Sequence, residues 1–549
     1  MASISPQTEK ASFMTLLKKL QSYWGVFAGN SQSVFRFALF SGIILSLLAV
    51  LFIYDMYRDV ANVYAYYARE ISMGNWQEGW VGRVPMMHIL LSGLLSKFSG
   101  IEAYKSTVII SSMFFVLTLF PLRRFLERYV SQVWSSWGCV LFIFAPSVIR
   151  NSVCGLLESA RYFFLIAALL FCFRLSDGKF KWYEAILFGI CLAGLSVSRG
   201  EGLLIAFIIL AALPFLILIK QHFCFQWKKL KSPLAGFAVA TVFFLVGFLP
   251  FCYGNWKFYG VFAPDMRIGG CIALVLKKLT PEAAKVQNCG LNGDEVKLKK
   301  FAPAATNDTE ASKELARTSG RSDKASLIFK NLSKTFRGAY VPYLLFALLG
   351  VALLLRLRKW NWEFSLLWVL FFVHFLVYAM IVSAHRYSIY LVPLFMPFTL
   401  NGVAFVLQKG KEWLEHRGPG VVHTASCLTG ACVIVLLICQ GSNGMKCVTD
   451  RKDKQFREVA AFIRNYSSEH FPGRRCKIAA GGHCTIVVYW SGAIAHWGYK
   501  QTEKKSDFDL LLLLKRKAEK VPAEYGKLEE VPAPSDFPVK IFRKAEQKK

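Results

Sequence analysis

The chain has 549 residues, of which 54% are hydrophobic, and its mean hydropathy is +0.39. Many separate apolar runs exclude an ordinary soluble enzyme and indicate a polytopic membrane protein. The formal net charge of +31 does not indicate nucleic-acid binding, because no Lys/Arg-rich nucleic-acid module is recognisable and membrane proteins collect basic residues at lipid headgroups. Membrane lipids are therefore expected partners, and nucleic acids are not.

Eleven apolar runs have roughly the length of a transmembrane helix. About 36 residues precede the first run and no small-residue cleavage site follows it, so we expect it to stay in the membrane as a helix and not to act as a cleaved signal peptide. The fold class is thus α-helical and polytopic, with about eleven transmembrane helices. The runs are Phe37–Tyr54, Ser106–Leu122, Val133–Ile149, Leu156–Phe173, Ala185–Val197, Gly202–Ile219, Leu234–Tyr253, Ala339–Leu355, Phe364–Val382, Ile389–Leu407 and Val421–Cys439.

Lysine and arginine clusters in the short loops predict the orientation. All of them fall on one side, which is then cytoplasmic, provided that the apolar stretch Val84–Phe98 does not cross. Residues 1–36 are then a cytoplasmic segment, and residues 37–440 form a transmembrane module with outer loops at 55–105 and 254–338. Residues 441–549 lie outside. The basic end AEQKK, without a clear retention signal, favours a bacterial inner membrane.

The first outer loop reads as a polar insert at the membrane surface. One face at helical spacing is apolar, which predicts an interfacial helix. It carries Val60, Val63, Tyr64, Tyr67 and Ile71, with Asn62, Arg69 and Glu70 largely off it. Val84–Phe98 is apolar but shorter than the ~20 residues that a perpendicular span needs. We therefore expect a second interfacial or re-entrant helix there.

The tail after residue 440 changes to a soluble pattern and predicts a small α/β domain. An amphipathic helix is expected around Phe456–Ile463. Strands are expected at Cys476–Ala480, Thr485–Trp490, Phe508–Leu514 and Phe537–Phe542. The sequence leaves open any disulfide pairing among the five cysteines outside the apolar runs, namely Cys271, Cys289, Cys447, Cys476 and Cys484.

Four polar sites share the predicted outer surface. Ionisable groups at membrane depth are costly, so they tend to face a protein or water-filled interior and to mark function. Arginine binds phosphate bidentately and a carboxylate can take or orient a proton, which suits the transfer of a sugar from a lipid phosphate. The sites are Asp55 with Asp59, Glu158, Arg199 with Glu201, and His385 with Arg386 and Tyr387.

Less specific explanations exist for the same residues. Asp59 follows Arg58, and such a carboxylate is often an interfacial ion pair or a helix cap. Arg386 viewed alone is more simply a side chain that snorkels to lipid headgroups. His88 lies on an apolar face, where histidine is more often a packing residue than a ligand.

Five short segments in order resemble the C-type superfamily of membrane glycosyltransferases, which includes protein O-mannosyltransferases and the aminoarabinose transferases of lipid A. The likeness spans about residues 37–407. In the family an aspartate after the first helix precedes A-R-E-I-x-x-G-x-W and then P-P-L-Y-x-x-L. The corresponding segments here are Asp59, Ala68–Trp76 and Val84–Leu91, followed by Glu158 in LLESARYFFL, by SRGEGLL around Arg199, and by HRYSIYLVPLFMP around Arg386.

The resemblance implies a polyprenyl-phosphate sugar donor and a lipid, glycan or protein acceptor on the extracytoplasmic side. Metal use varies within the superfamily, so a divalent metal is neither required nor excluded. Asp59 and Glu158 would be catalytic carboxylates. Arg199 and Arg386 would bind the donor phosphate. Beside the resemblance, we expect Arg83 as a further phosphate contact and Asp55, His88, Glu201, His385 and Tyr387 as substrate-binding residues.

Two other functions remain open from the sequence. A transporter or flippase of lipid-linked saccharides also uses intramembrane arginines and acids, although the inverted repeats and broken helices that are common in transporters are not found here. A noncatalytic subunit of an envelope-assembly complex is the third reading. Turnover of a lipid-linked sugar by the purified chain alone would exclude it.

Overall fold

The structure is a computed structural model, and it describes most of the transmembrane part and the core of the tail. The described residues are 26–53, 56–57, 59–82, 84–178, 181–220, 227–260, 262–264, 341–380, 389–417, 419–446, 454–480, 484–497, 508–514 and 528–544.

Helices account for nearly all of the described residues before residue 446. Together with the apolar composition, they make this an integral membrane protein. In chain order they are α1 Ser31–Phe52, a π-helical turn Val60–Tyr64 that runs into α2 Ala65–Ser72, α3 Trp76–Gly79, α4 Met86–Ser99, α5 Ala103–Leu117, α6 Leu119–Leu126, α7 Gln132–Phe144, α8 Pro146–Val153, α9 Glu158–Ser176, α10 Trp182–Ser198, α11 Gly200–Lys220, α12 Trp227–Tyr259, α13 Val341–Arg356, α14 Trp362–Met380, α15 Leu391–Glu415 and α16 Pro419–Gly444.

A helix lies over each of the eleven predicted runs, but not all of them are long enough to span a bilayer. Among the described residues, six helical segments have the length and apolarity of a span, and a seventh is formed if α7 and α8, bent by 62°, count as one. Four further apolar helices are shorter. The structure thus confirms a polytopic helical fold, while the count of eleven spans stays a prediction.

Close helix crossings hold part of the bundle together. A Cβ at Gly350 of α13 would lie 2.0 Å from the backbone oxygen of Phe398 in α15, and a Cβ at Gly402 of α15 would lie 2.2 Å from the oxygen of Phe346. These distances leave no room for a side chain. Glycine is therefore required on both sides of this crossing.

One end of the bundle carries a compact network of charges. Arg128, just after α6, binds Glu363 at 2.6 Å and Asp177 at 2.9 Å. Lys220 at the end of α11 binds the same two acids, at 2.8 and 2.6 Å, and Tyr129 donates to Glu363 at 3.0 Å. Four helices are thereby joined at this end, the one predicted to be cytoplasmic.

The first loop lies at the other end of the bundle. α2 packs against α4, and a Cβ at Gly93 of α4 would lie 2.9 Å from the backbone oxygen of Ala68. Residues Val60, Tyr67 and Ile71 of the predicted apolar face are buried. α4 occupies the predicted second short helix and is not among the candidate spans.

The tail folds into a five-stranded mixed sheet with two helices, here called the C-terminal unit. β1 is parallel to β2 and β3, whereas β5 is antiparallel to β3 and β4. The strand order is β2-β1-β3-β5-β4. The elements are α17 Lys454–His470, β1 Lys477–Ala480, α18 Thr485–Ser491, β2 Ile494–Trp497, β3 Leu510–Leu514, β4 Leu528–Glu530 and β5 Val539–Lys544.

One predicted strand of this unit is wrong. Thr485–Trp490 is rich in β-branched and aromatic residues, yet it forms helix α18. The reason is topological, because β1 and β2 pair in parallel and a parallel pair needs a crossover connection. The helix supplies that crossover, so tertiary context overrides the local β propensity.

Candidate functional site

Two arginines and two glutamates form a cluster where α9 begins and where α10 turns into α11. Arg199 contacts Glu201 at 2.7 Å through Nε and Glu158 at 3.6 Å through Nη1. Arg161, which is only 1% exposed, donates to Glu201 at 2.9 Å. The predicted residues Glu158, Arg199 and Glu201 are therefore brought together, and their formal charges with Arg161 sum to zero.

Local backbone geometry places Arg199 in this cluster. The residue has an extended conformation, with φ −166° and ψ 152°, that breaks the chain between α10 and α11. A Cβ at Gly202 would lie 2.0 Å from the backbone oxygen of Leu195. The SRGEG turn is thus tight enough to point both Arg199 and Glu201 at the start of α9.

Three further buried side chains surround the cluster, and the sequence reading missed them. The guanidinium of Arg161 lies over the ring of Tyr390 at 3.7 Å, and His374 meets that ring edge-on at 4.1 Å. Within the described part of the chain, Tyr390 Oη, Tyr162 Oη and Glu158 Oε2 have no hydrogen-bond partner. Buried polar atoms in this condition suit a site that receives a polar ligand or water.

Asp59 begins the helical segment of the first loop. It is half-buried and immediately precedes the π-helical turn Val60–Tyr64. The backbone oxygen of Tyr57 accepts from the N–H groups of Val60 and Ala61. Single π turns within helices are frequent at functional sites, so the local geometry is compatible with the role predicted for Asp59.

His88 links the first loop to the cluster and packs in the interior. It is 1% exposed, its Nε2 donates to the backbone oxygen of Gly155 at 3.1 Å, and its ring meets Tyr64 edge-on at 5.5 Å. Burial lowers the pKa of His88 to about 4, against a smaller opposite effect of the bond to Gly155. Gly155 lies three residues before Glu158, so His88 connects the helix that follows Asp59 with the cluster.

Solved structures of similar fold exist, although no family model and no curated protein sequence matches the chain. ArnT from Cupriavidus metallidurans bound to undecaprenyl phosphate aligns with a TM-score of 0.56 and 8% identity over 93% of this chain and 98% of that one. The archaeal oligosaccharyltransferase AglB from Archaeoglobus fulgidus, in complex with an inhibitory peptide and a dolichol-phosphate, gives 0.53 and 11% over 88% and 70%. ArnT in the apo state gives 0.52 and 9% over 91% and 96%.

The chain shares its fold with these solved structures of ArnT and AglB. The resemblance read from five short segments is thereby confirmed for the fold. At these identities the agreement concerns the fold alone, so the chemistry has to be argued from the residues of this chain.

Several of the predicted site residues and loop cysteines lie outside the described residues. They are Asp55, Arg83, His385, Arg386 and Tyr387, together with Cys271, Cys289 and Cys447.

A cavity of about 1000 Å³ opens between the first loop and the C-terminal end of α12. Trp76, Trp80, Glu78 and Lys257 are among the residues that line it. The indole of Trp80 is fixed because its Nε1 donates to Asn255 Oδ1 at 2.7 Å. The lining therefore offers aromatic faces and both signs of charge, a combination that suits a sugar ring with hydroxyl groups.

Metal ligands were tested in the same region. In the ranges that the structure describes, no group of three or more His, Cys, Asp or Glu side chains is placed to hold a metal ion. Glu158 is instead engaged by Arg199.

Proposed function

We propose that this protein is an integral-membrane glycosyltransferase that moves a sugar from a polyprenyl-phosphate donor to an acceptor at the non-cytoplasmic surface. The observation that carries the proposal is the cluster of buried Glu158 and Arg161 with half-buried Arg199 and Glu201. It lies in a fold shared with two proteins whose structures hold undecaprenyl phosphate and a dolichol-phosphate. Buried ionisable groups in a membrane protein are retained at a cost, and function is their usual reason.

The proposed reaction is a displacement at the anomeric carbon of the donor. An acceptor hydroxyl or amine attacks that carbon, the bond from the carbon to the phosphate oxygen breaks, and the phosphate leaves with the electron pair. Asp59 takes or orients the proton that the acceptor loses. Cationic side chains stabilise the charge that accumulates on the leaving phosphate.

The ion pairs of Arg199 affect how it would contact a donor phosphate. Arg199 already contacts two carboxylates, so its charge is largely compensated by Glu158 and Glu201. A donor phosphate would have to share Arg199 with them. We therefore propose that Arg386 and Arg83 supply further cationic contacts to the phosphate, while Arg161 holds Glu201 beside Arg199.

The aromatic cavity supports a place for a saccharide in this scheme. It is lined by the loop residues that follow α2, and α4 contributes both Leu90 to its wall and His88 to the contact with Gly155. The same helix therefore borders the cavity and touches the turn before Glu158. The acceptor in this scheme is a lipid, a glycan or a protein.

Orientation and compartment complete the proposal. The N-terminus and the network around Arg128 are placed in the cytoplasm, and the first loop and the C-terminal unit outside, in a bacterial inner membrane. The division into residues 1–36, 37–440 and 441–549 is proposed as the domain organisation.

The deciding experiment is sugar release from a panel of radiolabelled polyprenyl-phosphate sugars in membranes that contain the chain. We expect Asp59→Asn to abolish release while the protein still inserts normally. Asp536→Asn makes the same change at an exposed aspartate of the C-terminal unit and should leave release unchanged. If wild type and Asp59→Asn behave alike over the whole panel, catalysis at this loop is refuted, and transport of the lipid-linked saccharide becomes the hypothesis to test.

A further inference from the structure

The C-terminal unit is bonded to the first loop through one buried carboxylate. Glu70 of α2 is 1% exposed and accepts two hydrogen bonds from Arg475, at 2.9 and 2.7 Å. Asn75 donates to the same carboxylate at 3.1 Å, and Arg69 at 3.3 Å. A bidentate, charge-assisted pair of this kind fixes geometry in addition to contributing energy.

The electrostatics agree with a carboxylate that stays charged. Burial by itself would raise the pKa of Glu70, but the hydrogen bonds from Arg475 and Asn75 outweigh it and the pKa lies below the ordinary value. The pKa of Arg475 is raised in turn, chiefly by its hydrogen bond to Glu70. Arg475 supplies the two shortest hydrogen bonds to this buried carboxylate, and a buried carboxylate that loses its main cation is costly, so the loop depends on the C-terminal unit for the principal partner of Glu70.

Further contacts by Arg69, Tyr489 and α18 also join the first loop to the C-terminal unit. Arg69 donates to the backbone oxygens of Tyr489 and Ala493, at 2.7 and 3.1 Å. The hydroxyl of Tyr489 donates to Glu102 at 3.2 Å and accepts from the backbone N–H of Tyr104 at 3.0 Å. α18 also packs directly against the π-helical turn Val60–Tyr64.

These contacts lie on the helical segment that starts with Asp59. The segment is helical without a break from Asp59 to Ser72. Asp59 and Glu70 lie 11 residues apart on it. At about 1.5 Å per residue, the helix between them is about 16 Å long. Fixing Glu70 and the π turn therefore fixes the position and rotation of Asp59.

We propose that Arg475 and Glu70 are positioning residues: the C-terminal unit, through this pair, holds the first-loop helix so that Asp59 points into the reaction site. The role given to Asp59 rests on the proposed function, whereas the holding of the helix does not. Arg475 touches neither reacting group in this scheme and acts only through α2.

The test compares hydrogen–deuterium exchange of the full-length protein in detergent with sugar transfer in membranes. Arg475→Ala removes the cation of the pair, and Glu70→Gln removes the charge of its carboxylate. Arg475 also donates to the backbone oxygens of Gly492 and Ala493 within the C-terminal unit, and Glu70→Gln leaves those contacts in place. Both variants should accelerate amide exchange in the 59–72 peptide by about tenfold or more, since each removes charge-assisted hydrogen bonds that oppose local opening. Arg475→Lys keeps the charge but not the bidentate fork, and should recover part of the protection.

Arg474→Ala is the matched control. The neighbouring Arg474 pairs with Asp509 at 2.7 and 2.8 Å within the C-terminal unit. Its loss should change exchange around 508–514 and leave the 59–72 peptide as in wild type. Unchanged exchange of that peptide in both Arg475→Ala and Glu70→Gln, or an equal change in Arg474→Ala, would overturn the proposal.

Transfer supplies the second readout, with the polyprenyl-phosphate sugar that the wild-type membranes turn over. Arg475→Ala should lower kcat at least tenfold with little change in the donor KM, and Arg475→Lys should restore part of kcat. A loss confined to KM would place Arg475 in donor binding and overturn the positioning role. If exchange responds as expected but no donor is turned over by wild type, the proposed function fails and the holding of the loop stands.

Discussion

Alanine at Gly402 should destabilise the protein, whereas alanine at Gly410 of the same helix should stabilise it. A Cβ at Gly402 would lie 2.2 Å from the oxygen of Phe346, and ordinary contacts begin at 3.4 Å, so α13 and α15 would have to separate by about 1.2 Å. Overpacking of this size costs about 1–3 kcal/mol. At Gly410 nothing lies within 4 Å, so only the gain in helix propensity of about 1 kcal/mol remains.

The assay is thermal unfolding of the detergent-solubilised protein, followed by tryptophan fluorescence. The midpoint should fall for Gly402→Ala and rise for Gly410→Ala. Gly350→Ala should also lower it, but the Gly350→Ala/Gly402→Ala pair should lower it by less than the two single effects added, because one separation of the helices relieves both clashes. A rise for Gly402→Ala equal to that for Gly410→Ala would refute the close crossing.

Three further outcomes are expected. Because the folded pKa of His88 is about 4 and the unfolded value is near 6.5, wild type should lose about 3 kcal/mol of stability as the pH falls from about 6.5 to about 4; the loss should be smaller in His88→Gln, and equal pH curves of the two midpoints would contradict it. Arg161→Met removes one of the two cations that contact Glu201, while Arg199 stays at 2.7 Å, and should cost about 1–3 kcal/mol; because the cluster then carries one excess negative charge, Arg161→Met/Glu201→Gln should melt higher than the single variant. Gly155→Ala should lower the midpoint by the equivalent of about 1–3 kcal/mol, since φ is +80° and a Cβ would lie 2.6 Å from Thr107 Oγ1; a midpoint equal to wild type would contradict this.

Periodicity and charge predicted much of the fold. Each apolar run contains a helix, because the burial of backbone polar groups in lipid leaves a long apolar segment few alternatives. The SRGEG turn is predicted as a site because Arg199 and Glu201 are ionisable groups next to apolar runs, where such groups are costly. Their contact with Glu158 follows from helix packing, which the sequence does not specify.

The missed residues depend on contacts distant in sequence. Glu70 was expected largely off the apolar face, and it is buried because Arg475, 405 residues later, neutralises it. Arg161 was noted only as a neighbour of Glu158, and His374 was overlooked inside an apolar run. The cost of an ionisable group at membrane depth was the available signal for both.

The two charged networks stand at opposite ends of α9, with Glu158 at its first residue and Asp177 just after its last. A helix of 19 residues is about 28 Å long, close to the ~30 Å of the hydrocarbon core.

The π turn gives the first loop a further property, which concerns rotational phase. An α-helix turns about 100° for each residue, and a π turn takes up one extra residue within an otherwise α-helical rod. The turn Val60–Tyr64 therefore sets the angle at which Asp59 projects relative to Glu70, independently of how firmly Glu70 is held. Removing one residue from it would rotate the carboxylate of Asp59 by about 100° around the helix axis and leave the Glu70–Arg475 pair in place. Two properties of this segment can therefore change separately. Side-chain substitutions alter how strongly Glu70 is bound, whereas the number of residues in the π turn sets the direction of the Asp59 carboxylate.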